Sequence, residues 1–194
     1  MTHNTIFVEP YERGNGTGRS RARSIIERYL SLPANTLSFD EGPNGKPLLA
    51  GFPDAHAGIS HSGGLLVVYL GSAPGGVDIE RIKPRTNLAD LASLAFAPEE
   101  AEALAEAGSD ALVAFYALWT AGEADVKREG RTLADGFGAR ENAGFPRRYW
   151  IVNGSYLLCL SSARDVLDSV GIVAPEGITV VPFAVPPPRP GTAP

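Results

Sequence analysis

Asp78 and Glu80 lie two residues apart in the stretch Gly75-Gly76-Val77-Asp78-Ile79-Glu80. Alternate side chains of a β-strand share a face. The spacing therefore puts both carboxylates on one side and turns Val77 and Ile79 toward a core on the other. Two carboxylates a few ångströms apart repel unless water, a base or a cation compensates them. A hard, oxygen-seeking cation such as Mg²⁺ would do so. Further along, Phe115, Trp119, Glu123 and Lys127 recur every four residues and form one stripe on a helix. As an exposed pair, Glu123 and Lys127 would be worth only about 0.3–0.5 kcal/mol. Packed over the acidic strand, they would instead bring a third oxygen donor and a fixed cation to Asp78 and Glu80. His61 sits between Ser60 and Ser62, ahead of Gly63-Gly64. Small neighbours and flanking hydroxyls there would suit a phosphate-bearing ligand. Lys46, in a Gly-Lys-Pro turn, offers an ammonium on a restricted backbone.

The elements that must position these residues are readable in outline. Thr5 to Val8 reads as a short strand, and a helix from about Arg19 to Leu30 follows a Gly-rich stretch. Its apolar positions Ala22, Ile25, Ile26 and Leu30 recur at helical spacing. Arg13, Arg19, Arg21, Arg23 and Arg28 make this the most cationic region of the chain. Leu65 to Leu70 is a continuous apolar run, best read as a buried strand. The middle is helical, with segments at 87–96, 98–107 and about 110–128, where Ser109 or Asp110 can cap the last. Strands follow at 149–152, 156–160 and 178–183, the first two joined by Asn153-Gly154, a strong hairpin signal.

Composition narrows the function. The chain has 194 residues, 44% hydrophobic and 20% charged, with a net charge of −5. An acidic protein of this kind is no general nucleic-acid binder, because neutralising phosphates needs a cationic face. A single cysteine, Cys159, excludes an intrachain disulfide framework and reads as a buried small hydrophobe. No basic apolar leader and no run of membrane-spanning length are present, so a soluble cytoplasmic protein is expected.

The order of the motifs is more specific than any one of them. Gly45-Lys46-Pro47, Ile59-Ser60-His61-Ser62, Gly76-Val77-Asp78-Ile79-Glu80, Phe96-Ala97-Pro98-Glu99-Glu100 and Phe115-Tyr116-Ala117-Leu118-Trp119-Thr120 follow one another, ending with Glu123-Ala124 and Lys127. The series resembles the 4′-phosphopantetheinyl transferases of the two-lobed, surfactin-synthetase-activating type. The resemblance implies an α+β fold of two similar lobes with pseudo-twofold symmetry. On it, residues 1–76 would form the first lobe and 77–184 the second, with a Pro-rich, disordered tail over 185–194. It implies transfer of the phosphopantetheine arm of coenzyme A to a serine of an acyl or peptidyl carrier protein, releasing adenosine 3′,5′-bisphosphate, by a monomer that engages neither nucleic acid nor membrane. Asp78, Glu80 and Glu123 would ligate Mg²⁺ (or Mn²⁺), and Arg13, Arg19, Lys46, Ser60 and His61 would contact coenzyme A. Glu123 or a metal-bound water would take the serine proton, and Lys127 would stabilise the developing charge.

The chain departs from the family pattern at Gly122, where a lysine is usual. Glycine inside a helix costs about 1 kcal/mol relative to alanine, and the change removes a cation beside the carboxylates. The alternative expectation is therefore a coenzyme A or carrier-protein binder with impaired catalysis. A dinucleotide-dependent enzyme is disfavoured, since the glycines near residue 14 are spaced G-x-G-x-G rather than G-x-G-x-x-G.

Overall fold

Leu65 to Leu70 lack polar alternation because their strand is covered on both faces. The computed structural model, which describes residues 4–12, 14, 16–131 and 145–185, places this strand, β5 (Leu65–Gly71), inside a sheet of order β2-β3-β4-β5-β1-β9. The other strands of this sheet are β1 (Thr5–Pro10), β2 (Phe39–Glu41), β3 (Pro47–Leu49), β4 (His56–Ser62) and β9 (Gly171–Val173), and β5 pairs directly with β4 and β1. Leu66, Val68 and Leu70 face helix α1 (Gly18–Tyr29) with its Ala22, Ile25 and Ile26. Leu65, Val67 and Tyr69 face a second sheet. Thr17 starts α1, its hydroxyl accepting the Ser20 N–H at 3.2 Å.

The second sheet runs β10-β7-β8-β6, from β6 (Gly76–Arg81), β7 (Arg147–Val152), β8 (Tyr156–Ser161) and β10 (Val180–Phe183). Val77 and Ile79 of β6 join the core between the sheets with Ile6, Val8, Leu158 and Leu160. The helices α2 (Leu88–Ala95), α3 (Pro98–Glu106) and α4 (Ala111–Glu129) cover the outer face, where Phe115, Tyr116 and Leu157 pack together. Four layers result: α1, sheet, sheet, α2–α4. A short α5 (Arg164–Ser169) leads back to β9.

The mixed architecture is the α+β class that the motifs imply, and its two halves share a plan. In each, a strand is followed by a helix and then by an antiparallel pair whose second strand inserts between the first two: β4-β5-β1 and β7-β8-β6. The Asn153-Gly154 hairpin forms as expected, with both residues left-handed at φ 49° and 63°. One sequence expectation needs adjusting. Asp110 makes no side-chain cap to α4, which is instead entered through a 3₁₀ turn at Gly108–Asp110. β2, β3, β4, α5 and β9 have no counterpart among the elements expected from sequence. The Pro-rich 186–194 segment lies outside the described residues.

One contact fixes the distance between β6 and α4. A Cβ on Gly76 would stand 1.8 Å from the Ala124 carbonyl oxygen and 2.4 Å from the Arg128 nitrogen. Strand and helix backbones therefore touch where a side chain would be. Gly76→Ala is expected to destabilise the fold by about 1–3 kcal/mol through overpacking, read from the denaturation midpoint. At Gly171, where the nearest atom to such a Cβ is 4.0 Å away, the same change should lie within about 0.5 kcal/mol of neutral.

Candidate active site

β6 is an edge strand of its sheet, and its free edge meets β4 of the other sheet. The two strands are joined by hydroxyls at matched spacing. Ser60 donates to Asp78 Oδ1 at 2.8 Å and accepts from the Ile79 N–H at 3.4 Å. Ser62 donates to Glu80 Oε2 at 2.8 Å and accepts from the Arg81 N–H at 3.2 Å. Because both strands have period two, each serine meets one carboxylate and the next edge amide. In the sequence Ser62 stands out only as a hydroxyl flanking His61 and as the end of the Ile59–Ser62 motif; its spacing of two from Ser60, mirroring Asp78 and Glu80, is the signal that marks it.

The stripe on α4 forms as the spacing predicts. Phe115 is fully buried, Trp119 stacks on it with ring centroids 5.9 Å apart, and Glu123 and Lys127 continue the line toward β6. Lys127 Nζ lies 2.6 Å from Asp78 Oδ1, 3.0 Å from Ser60 Oγ and 3.9 Å from Glu123 Oε2. Asp78 is 2% exposed. Repulsion between it and Glu80 is thus answered by an ammonium from another element, so truncating Asp78 would also strip Lys127 of its partner. Asp78 Oδ2 is buried with no hydrogen-bond partner among the described residues.

The charges shape one another. Burial, followed by the Asp78 charge, pushes Glu123 up to about 7, while Lys127 holds it back. Glu80 is raised for the same two reasons, against the Ser62 hydrogen bond, Lys127 and Arg85. Burial would depress the Lys127 ammonium, but Asp78, Glu123 and Glu80 outweigh it and the net shift is upward. Cys159, cross-strand from Asp78, is fully buried and its thiol is pushed up by burial, in keeping with a core role.

These groups line a cleft of about 520 Å³ whose opposite wall comes from α1 and the turn before β3. Asp78, Glu80, Glu123 and Lys127 line it together with Ser60, which bonds both Asp78 and Lys127, and Arg19 and His61 line it as well. His61 is exposed and stacks on Tyr11 at 5.0 Å. Arg19 donates to the Gly45 carbonyl. Lys46 is not among the lining residues, although Gly45 and Pro47 on either side of it are. Its ammonium donates to the carbonyl of Arg128. Arg13 lies outside the described residues.

Hard oxygen donors, one of them buried and unpartnered, are the donor set a divalent cation takes. Among the described residues no three His, Cys, Asp or Glu side chains converge closely enough to hold an ion as they stand. Lys127 is the positive charge now nearest Asp78.

Fold and cleft define a two-sheet α+β protein with a carboxylate cluster facing a cationic helix across one groove. Residues 74–157 match the family described as the 4′-phosphopantetheinyl transferase superfamily. The chain is 35% identical over 122 residues to the 4′-phosphopantetheinyl transferase Sfp of Bacillus subtilis, a match covering 61% of this chain and 54% of that protein. It is 34% identical over 119 residues to psf-1 of Bacillus pumilus (61% and 51%) and 31% identical over 137 residues to HetI of a Nostoc species (68% and 57%). The motif resemblance is therefore borne out: this chain is a sequence relative of the 4′-phosphopantetheinyl transferases. It spans about half the length of these curated relatives. Among the described residues no helix is long and apolar enough to cross a membrane.

The raised Glu123 carboxyl has a consequence for stability. Between the ordinary value of about 4.3 and about 7, the folded chain holds a proton there that the unfolded chain has released. Unfolding free energy from this group therefore falls as pH rises through that window. Glu123→Gln should flatten the decline, measured by urea denaturation at stepped pH without divalent metal. An unchanged slope would place the titration elsewhere.

Proposed function

We propose that this protein transfers the 4′-phosphopantetheine arm of coenzyme A to a serine of an acyl or peptidyl carrier protein, releasing adenosine 3′,5′-bisphosphate. The observation that carries the reading is the cleft itself: Asp78, Glu80 and Glu123 gather around Lys127 and Ser60, and Arg19 and His61 line the same space.

In the reaction the serine oxygen bonds to the pantetheine-bearing phosphorus and the pyrophosphate P–O bond breaks. Such chemistry rests on positioning and on stabilising charge. Arg19 and His61 line the wall suited to the coenzyme's phosphates. Asp78, Glu80 and Glu123 would hold Mg²⁺, which when bound would neutralise charge on the pyrophosphate. The unpartnered Asp78 Oδ2 supports that role. Two carboxyls pushed upward by burial and by Asp78 gain most from a cation. Glu123, or a water on the metal, would accept the serine proton. Lys127, kept charged by its neighbours, would stabilise the leaving bisphosphate.

A second reading, a binder with impaired catalysis, rests on Gly122, which is buried in α4 beside Glu123 and supplies no cation. Gly122→Lys separates the two: a large gain in turnover would favour impairment, and little change would show the lysine to be dispensable.

The direct test is intact mass of an apo carrier protein incubated with this chain, coenzyme A and Mg²⁺, beside an EDTA control. A metal-dependent gain of one phosphopantetheine arm is expected; no gain across several carrier types would overturn the reading. Asp78→Asn retains a partner for Ser60 and Lys127 but removes the charge. Turnover should fall on the order of a hundredfold or more, and near-normal turnover would remove Asp78 from the metal set.

A further inference from the structure

The last carbonyls of a helix have no partner within it and must find one elsewhere. At the end of α4 the chain supplies two itself: Gly130, left-handed at φ 66°, donates to Lys127 O at 3.3 Å, and Arg131 donates to Val126 O at 3.0 Å. The next are met from the other half of the molecule. Lys46 Nζ donates to Arg128 O, and Asn44 Nδ2 donates to Gly130 O at 2.8 Å. Asn44 does so from a left-handed conformation, φ 50°. The approach is close, since a Cβ on Gly130 would lie 3.2 Å from the Pro43 carbonyl oxygen. The turn is in turn held by Arg19, which lines the cleft and donates to Gly45 O.

We propose that the Pro43–Lys46 turn is the C-terminal cap of α4, and that Asn44 and Lys46 are positioning residues for Glu123 and Lys127. Lys127 immediately precedes the carbonyl that Lys46 holds, and Glu123 lies one turn earlier on the same face. An ammonium at a helix C-terminus also meets the negative end of the helix dipole. Lys46 thus acts on the carboxylate site from behind the cleft wall, through the helix it fixes. The inference goes beyond the transferase reading, because the cap is a property of the chain without coenzyme or metal.

The test is hydrogen–deuterium exchange on the full chain, free of coenzyme A and divalent metal. Asn44→Gly keeps the left-handed turn but removes the donor; Lys46→Met removes the ammonium. In the double variant, amides over 124–131 should exchange about tenfold faster or more while those of β5 are unchanged. Lys46→Arg, which restores a donor, should recover most of the protection. Mn²⁺ affinity read by EPR should weaken about tenfold in the double variant and return with Lys46→Arg. Unchanged exchange over 124–131 in the double variant would overturn the proposal. Lost coenzyme A affinity alongside unchanged exchange would make Lys46 a ligand contact instead. If the double variant unfolds, Asn44→Gly alone decides by the same criterion. If the unaltered protein fails to bind Mn²⁺, the metal reading falls while the exchange result still judges the cap.

Discussion

Three carboxylates in one cleft cannot all be charged and buried unless something positive stands among them. Here that charge is Lys127, 2.6 Å from Asp78 and a turn below Glu123. The fold is arranged to deliver it. β6 provides the paired acids, α4 brings the third acid and the ammonium on one stripe, and Gly76 lets the two backbones touch so that the side chains meet. A wider separation would leave each acid to find its own counterion in water.

The same constraint explains how the two sheets are joined. A free strand edge exposes unpaired amides, and proteins cover such edges. β4 covers that of β6 with side chains rather than backbone. Ser60 and Ser62 each take one edge amide and one carboxylate, so edge protection and acid orientation are one arrangement. Tyr156 adds a hydroxyl donated to the Gly63 carbonyl nearby. The cleft lies along a seam that hydrogen bonds hold shut on its inner side.

Much of this was legible in the sequence where the determinant is local. Period two placed Asp78 and Glu80 together, period four aligned Phe115 with Lys127, and Asn153-Gly154 announced its hairpin. Among the elements missed, the shortest are those whose stability is borrowed. β9 has three residues and exists because β1 pairs with it in parallel; α5 has only six. The ionic arrangement was half visible. Lys127 was expected at the edge of the acids, but its 2.6 Å contact with Asp78 depends on the depth at which α4 sits, and that is set by a glycine forty-eight positions before Ala124 in sequence and touching it in space. Lys46 posed the same difficulty, since its partner carbonyl lies eighty-two residues away.

β9 carries a consequence for the order in which the protein can be completed during synthesis. It docks beside β1, which belongs to the opening residues of the chain, yet it is made only after the whole second sheet except β10. As the nascent chain emerges, β1 therefore has its partner β5 on one flank and an open flank on the other until residue 173 is available. The first half can collapse on α1 early, but its sheet acquires its last strand only when the second half has been built. The first sheet is in that sense finished by the second half of the chain.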